Sequence, residues 1–147
     1  MKVYKTNCPE LVATLKRDEV KKVQIKSSKD SADFFWQVME GIDIYESFFV
    51  IYLNRANNTI GWYKVSQGGL TGTVADPRLI IKKAIDILAT SMVMCHNHPS
   101  GNLQPSRADE ELTRKIKQGA AYFDITLMDH IILTEDSYYS FADEGII

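Results

Sequence analysis

Residues 91–109 read Ser91-Met92-Val93-Met94-Cys95-His96-Asn97-His98-Pro99-Ser100-Gly101-Asn102-Leu103-Gln104-Pro105-Ser106-Arg107-Ala108-Asp109. The run Ser91 to Cys95 is apolar and reads as a buried strand. Side chains alternate faces along a strand, so His96 and His98 point one way while Cys95 and Asn97 point the other. Pro99 has no amide proton to donate and ends the pairing. A polar loop, Ser100 to Pro105, then leads to Ser106, where a helix opens. Two imidazoles at a strand end and a carboxylate returned by a helix start form a three-ligand set for zinc: His96, His98 and Asp109. Such an N,N,O set leaves a fourth position for water, as catalytic rather than structural zinc sites do.

The flanking sequence supplies the rest of an α/β fold. Glu46 to Asn54 is almost continuously apolar, so that strand should be buried on both faces and lie inside a sheet. Asn57-Asn58 reads as a hairpin turn. Thr59 to Ser66 is the partner strand, with Ile60 and Trp62 packing, and Gly68-Gly69 ends it. Asp76-Pro77 caps a helix whose buried stripe is Ile80, Ala84, Ile87 and Leu88. The helix from Ser106 packs Leu112, Ile116 and Ala120. Ile125 to Leu133 is an apolar strand, and a short one lies near Tyr138 to Phe141.

Upstream, Asp30 or Ser31 reads as the N-cap of a helix that runs to about Glu40. It buries Phe34, Phe35, Val38 and Met39, and Gly41 ends it. Val20 to Lys26 alternates as a half-exposed strand, and residues 8–18 as a short helix carrying Leu11, Val12 and Leu15. The mixed order of helices and strands indicates an α/β sandwich around a mixed sheet flanked by helices. Residues 1–29 form a basic leading segment and 30–147 the domain.

With 147 residues, the chain suffices for one domain with a substantial core. No stretch approaches a membrane span, and Met1 to Lys5 lacks the apolar core of a signal peptide. A cytoplasmic, reducing compartment is therefore expected. Cys8 and Cys95 are far apart and match no CxxC pattern, which argues against a disulfide framework. Net charge is −2, giving no general case for nucleic acid. Its distribution is uneven: residues 1–29 hold eight Lys/Arg against three Asp/Glu. Lys16, Arg17, Lys21, Lys22, Lys26 and Lys29 would suit an acidic partner or a phosphate backbone. A solvated face and lysine-protected edge strand explain them more simply.

A hydrolytic metal site also needs a group that moves the water proton and one that steadies the developing oxyanion. Glu46, at the start of the doubly buried strand, is the base candidate. Ser106 and Asp109 also fit a capping box, and the ligand and capping roles coexist only if one carboxylate oxygen serves each. His130, in an apolar strand after Asp129, reads as a core group bonded to a neighbour rather than a fourth ligand. Cys95 reads as packing. The letters His-Asn-His coincide with an HNH nuclease signature, but that signature disperses its residues along a ββα unit.

His96-x-His98-Pro99 and Ser106-x-x-Asp109, with Glu46 upstream, resemble the JAMM motif of JAB/MPN-type metalloproteases. His-Asn-His-Pro-Ser-Gly-Asn, Pro-Ser-Arg-Ala-Asp, Asp129-His130-Ile131-Ile132 and Gly68-Gly69-Leu70 resemble the RadC-like branch. The resemblance covers roughly residues 30–145. It implies a deaminase-like α/β sandwich of the JAB/MPN type, with Zn2+ on His96, His98 and Asp109. It further implies Glu46 as the water-activating base and Ser106 as an oxyanion donor, acting on a peptide, protein or isopeptide substrate. Asn97 stands where the superfamily's isopeptidases usually carry Ser or Thr. Full-length RadC-like proteins carry a helix-hairpin-helix segment of a DNA-binding type, whereas residues 1–29 lack its Gly-containing hairpin. A DNA-associated accessory module with a structural metal is the alternative expectation. A non-catalytic interaction domain is the third, and the intact ligand set argues against it.

Overall fold

The computed structural model describes residues 11–16, 19–68 and 74–147. The apolar run before the histidines forms β3 (Ser91–Asn97), the middle strand of a five-stranded sheet. The other strands are β1 (Ser47–Leu53), β2 (Thr59–Gln67), β4 (Thr126–Leu133) and β5 (Tyr138–Ser140). Their order is β2-β1-β3-β4-β5. Only the β3–β4 pair is parallel. A parallel pair needs a crossover, and α3 (Arg107–Ala121) provides it. The sheet is therefore mixed, as the element order predicts.

Helices cover both faces. On one side α1 (Ser28–Val38) lays Ala32, Phe34 and Phe35 against Phe49, Ile51, Val93, Cys95 and Ile131. On the other, α2 (Pro77–Asp86) and α3 place Ile80, Ala84, Ile116 and Ala120 against Phe48, Val50, Tyr52, Met92 and Met94. Strands β1 and β3 are buried at every position because each face carries its own core. The two helices approach closely at Gly119, where a Cβ would lie 3.1 Å from Ile81 Cδ1.

Several local expectations are corrected. Residues 11–16 form no helix, and Leu11, Val12 and Leu15 are exposed; a short apolar spacing does not hold a helix without packing to repay its nucleation. The rest of 8–18 falls outside the described residues. Val20 to Lys26 contributes one bridge, Gln24 to Asn58, rather than a full strand. The N-cap of α1 is Ser27, in a reciprocal capping box with Asp30, and the helix stops at Val38 rather than Glu40. Ile60 and Trp62 both pack as expected, Ile60 on the α2/α3 side and Trp62 on the α1 side, because a register shift near Ile60 breaks the alternation.

Leu88 is 83% exposed rather than part of the α2 stripe. The helix has already ended, and Leu88 sits in the left-handed region at φ 56°. That conformation suits glycine. Leu88→Gly should therefore stabilise the protein by about 0.5–1 kcal/mol, read by thermal or denaturant unfolding. Unchanged or lower stability would show that the exposed leucine contributes more than its backbone costs.

Candidate metal centre

The site assembles at the carboxyl end of β3, where parallel α/β sheets commonly place ligands. Alternation puts the His96 ring on the α3 face, stacked parallel to Phe48 at 6.0 Å between centroids. His98 lies just past the strand on the same side, and its backbone N–H still pairs with Leu133 O at 2.9 Å. The two Nε2 atoms converge to 2.9 Å.

Asp109 arrives from the first turn of α3. Its Oδ1 lies 3.4 Å from His96 Nε2 and its Oδ2 3.7 Å from His98 Nε2. The capping box is also present: Ser106 N donates to Asp109 Oδ2 at 2.8 Å, and Asp109 N donates to Ser106 Oγ at 3.1 Å. Capping falls on Oδ2, so Oδ1 faces the histidines, and one carboxylate accommodates both roles. Ser106 itself is exposed, and its oxygen accepts in the cap, leaving the hydroxyl proton to donate elsewhere. Glu46 precedes β1 and is half-buried. One ligand atom each from Glu46, His96 and His98 lie within 4.8 Å of one another.

The hydrogen bonds define the imidazole tautomers. Thr113 Oγ1 donates to Asp109 O at 2.6 Å, so it can only accept from His130 Nδ1, also at 2.6 Å. His130 Nε2 is then the acceptor for His96 Nδ1–H at 2.8 Å. His98 Nδ1 donates to the carbonyl of Asn102. With these tautomers, each ring in its neutral form turns an Nε2 lone pair toward the other across 2.9 Å, beside a carboxylate. Opposed lone pairs at that distance repel unless a cation or a proton lies between them.

Divalent metal fits these atoms. Nitrogen and oxygen donors at zinc-like bond lengths in a tetrahedron sit about 3.3 Å apart, near the Asp109–histidine separations. The two histidines need to part by only a few tenths of an ångström. Two alternative sets of three share the histidines, one completed by Asp109 and one by Glu46. The Asp109 set fits direct coordination better, since Oδ1 lies 3.4 Å from His96 Nε2 and Oδ2 3.7 Å from His98 Nε2. Glu46 is within one water of the same point.

The electrostatics agree. Burial opposes charge on Asp109, but the His96 and His98 imidazoles beside it outweigh that and hold the carboxyl far below its usual range. Burial likewise opposes charge on His98, yet Asp109, the Asn102 carbonyl and the charge of Glu46 raise its pKa. In the metal-free protein a proton thus competes for His98 Nε2. Metal affinity should fall as pH drops below that raised pKa, approaching tenfold per pH unit. Titration of metal binding between pH 8 and 5 checks this, and a flat profile would contradict it.

His130 is fully buried and is held neutral by that burial and by His96, its pKa lying well below the ordinary value. It stacks on Phe141 at 4.7 Å and is the bonded neighbour of His96, a core group bonded to a neighbour as the sequence suggests. Thr113, its other partner, was not singled out in the sequence; its position four residues after Asp109, on the same helix face, was the available signal. Asp129 accepts from Ser140 Oγ at 2.6 Å, Ala142 N at 3.0 Å and His130 N at 2.7 Å, tying β4 to the turn after β5. Cys95 points away, its Sγ 3.6 Å from Met39 Sδ, and burial pushes the thiol pKa well up, consistent with packing. Residues 69–73, including Gly69 and Leu70, lie outside the described set.

A helix-flanked mixed sheet carrying a His-x-His strand end and a helix-start carboxylate at one point has the layout of a JAB-type domain. The chain belongs to the RadC-like JAB domain family, whose profile matches residues 25–146. It is similar to a UPF0758 protein of Flavobacterium johnsoniae, 43% identical over 129 residues, covering 88% of this chain and 56% of that protein. Another, from Fusobacterium nucleatum, is 39% identical over 145 residues, covering 94% and 62%. One from Salinibacter ruber is 37% identical over 131 residues, covering 89% and 56%. The chain thus matches between 56% and 62% of these relatives' length. Among the described residues no helix is long and apolar enough to cross a membrane.

Proposed function

We propose that this domain is a zinc-dependent hydrolase of amide bonds, acting on a peptide, protein or isopeptide substrate. The observation that carries the proposal is the convergence of the His96 and His98 Nε2 atoms to 2.9 Å beside the Asp109 carboxylate, with Glu46 within a water's reach. His96, His98 and Asp109 would hold the metal. When bound, it supplies Lewis-acid polarisation of water and of a carbonyl oxygen.

The chain's own residues do the rest. Glu46, at the mouth of β1, takes the proton of the attacking water on its carboxylate and returns it to the departing nitrogen. Ser106 spends its hydroxyl proton on the carbonyl oxygen as charge builds there. The His130–Thr113 pair holds the His96 ring so that Nε2 stays unprotonated. Incubation of metal-loaded protein with peptide and isopeptide libraries tests the proposal. Cleavage that chelation abolishes and zinc restores is expected. Turnover of no amide by fully loaded protein, or cleavage indifferent to chelation, would reject it.

A second reading is favoured by one observation. Lys16, Lys21, Lys22, Lys64 and Lys83 line a cavity of about 870 Å³ beside β2, together with Trp62 and Tyr63. An accessory role on DNA would use that basic surface. Such binding would weaken steeply with salt and with neutralisation of Lys21 and Lys22.

A further inference from the structure

Asn97 stands between the two histidines, fully buried, and its side chain leaves the strand on the face opposite theirs. Its Nδ2 donates to Ile42 O and to Tyr45 O, both at 2.8 Å. Its Oδ1 accepts from Ser47 N at 2.8 Å and from Ser47 Oγ at 3.3 Å. The amide's two donors and both acceptor sites are thus used. Its orientation is unambiguous too, since the two carbonyls can only accept.

Those partners bracket Glu46. Tyr45 O precedes it in the chain and Ser47 N follows it, while the Glu46 carbonyl accepts from Gly68 N at 2.9 Å. The approach is a tight turn: Gly41 has φ 64°, and Ile44 N and Tyr45 N both donate to Gly41 O. A Cβ at Gly41 would fall 2.7 Å from the Tyr45 ring, so this turn requires glycine. Residues 41–46 lie outside any strand, and β1 begins at Ser47. A single hydroxyl in place of Asn97 has one proton and could not bridge two carbonyls and an amide.

We propose that Asn97 is a positioning residue for Glu46, its side chain clamping the backbone on both sides of that carboxylate. The inference rests on the reading of Glu46 as the base at a metal site. His96 and His98 then present the metal ligands on one face, while Asn97, from the opposite face, fixes the backbone that carries the Glu46 carboxylate to the same point. Neighbouring β3 residues control both, so the distance between metal and base is set within one rigid strand rather than across a loop.

The test uses protein labelled with carbon-13 at glutamate carboxyls and loaded with either cobalt(II) or zinc(II). In the wild type, cobalt should shift or broaden the Glu46 carboxyl signal, identified by its loss in Glu46→Gln. In Asn97→Ser and Asn97→Ala, cobalt affinity should stay within about threefold of wild type, because the ligands lie on the other face. The Glu46 signal, in contrast, should lose most of its paramagnetic effect. Variants that hold both cobalt and the Glu46 response as the wild type does would overturn the inference and leave the metal site standing. Wild-type protein that takes up no cobalt would overturn the metal reading and this inference with it. Should both variants fail to fold, hydrogen exchange in the wild type decides. The Asn97 side-chain amide and the Ser47 N–H should exchange at least about 1000-fold more slowly than free amides, and exchange near the free rate would refute the clamp.

Discussion

Glu46→Gln should lower kcat/KM for amide hydrolysis by about 100- to 10,000-fold while leaving metal content unchanged. Glutamine keeps the shape and the hydrogen-bonding reach of the side chain but cannot take a proton from water. The carboxylate lies within 4.8 Å of both imidazoles, close enough to act through one water. Metal retention is the more informative half of the result. If Glu46 rather than Asp109 completed the ligand set, the variant would lose metal together with activity. A Glu46→Gln protein that keeps metal and full activity would instead remove Glu46 from the chemistry.

His130→Leu should weaken metal binding by about 10- to 100-fold, measured by competition with a chromophoric chelator. The substitution leaves the His96 Nδ1–H without its acceptor in a site where His96 is 2% exposed. The ring is then free to turn or to carry its proton on Nε2, where the metal would bind. Thr113→Val should act in the same direction more weakly, since it removes only the far end of the relay. His130→Gln should recover part of the loss, because its carbonyl oxygen accepts from His96 while its amide donates to Thr113. Thermal unfolding of each variant separates weakened binding from lost folding. Wild-type affinity in a folded His130→Leu protein would show that stacking on Phe48 alone orients His96.

Much of this centre was legible because strands have a period of two. His96 and His98 had to share a face, Cys95 and Asn97 the other, and an apolar run ending at a proline set where that face begins. The dual role of Asp109 was legible as a conflict, and two carboxylate oxygens resolve it. The relay through His130 and Thr113 was not, since its members come from β4 and α3 and meet only when the parallel crossover closes. Asn97 showed as a departure from a pattern, but its partners, Ile42, Tyr45 and Ser47, lie about fifty residues earlier in the chain. At the periphery, periodicity overreached. Leu11, Val12 and Leu15 have a helical spacing yet form no helix and stay exposed, and Leu88 keeps the phase of α2 two residues past its end. Ile60 and Trp62 separate because a bulge resets the alternation, an event that leaves no mark in composition.

Elemental analysis of untagged protein, beside His98→Ala, tests the metal centre most directly. Stoichiometric zinc, about one per chain, with its loss in the variant at unchanged fold, is the expected result for a three-residue site. Absence of metal from both proteins after zinc is supplied, or equal metal in both, would contradict a centre built on His96, His98 and Asp109.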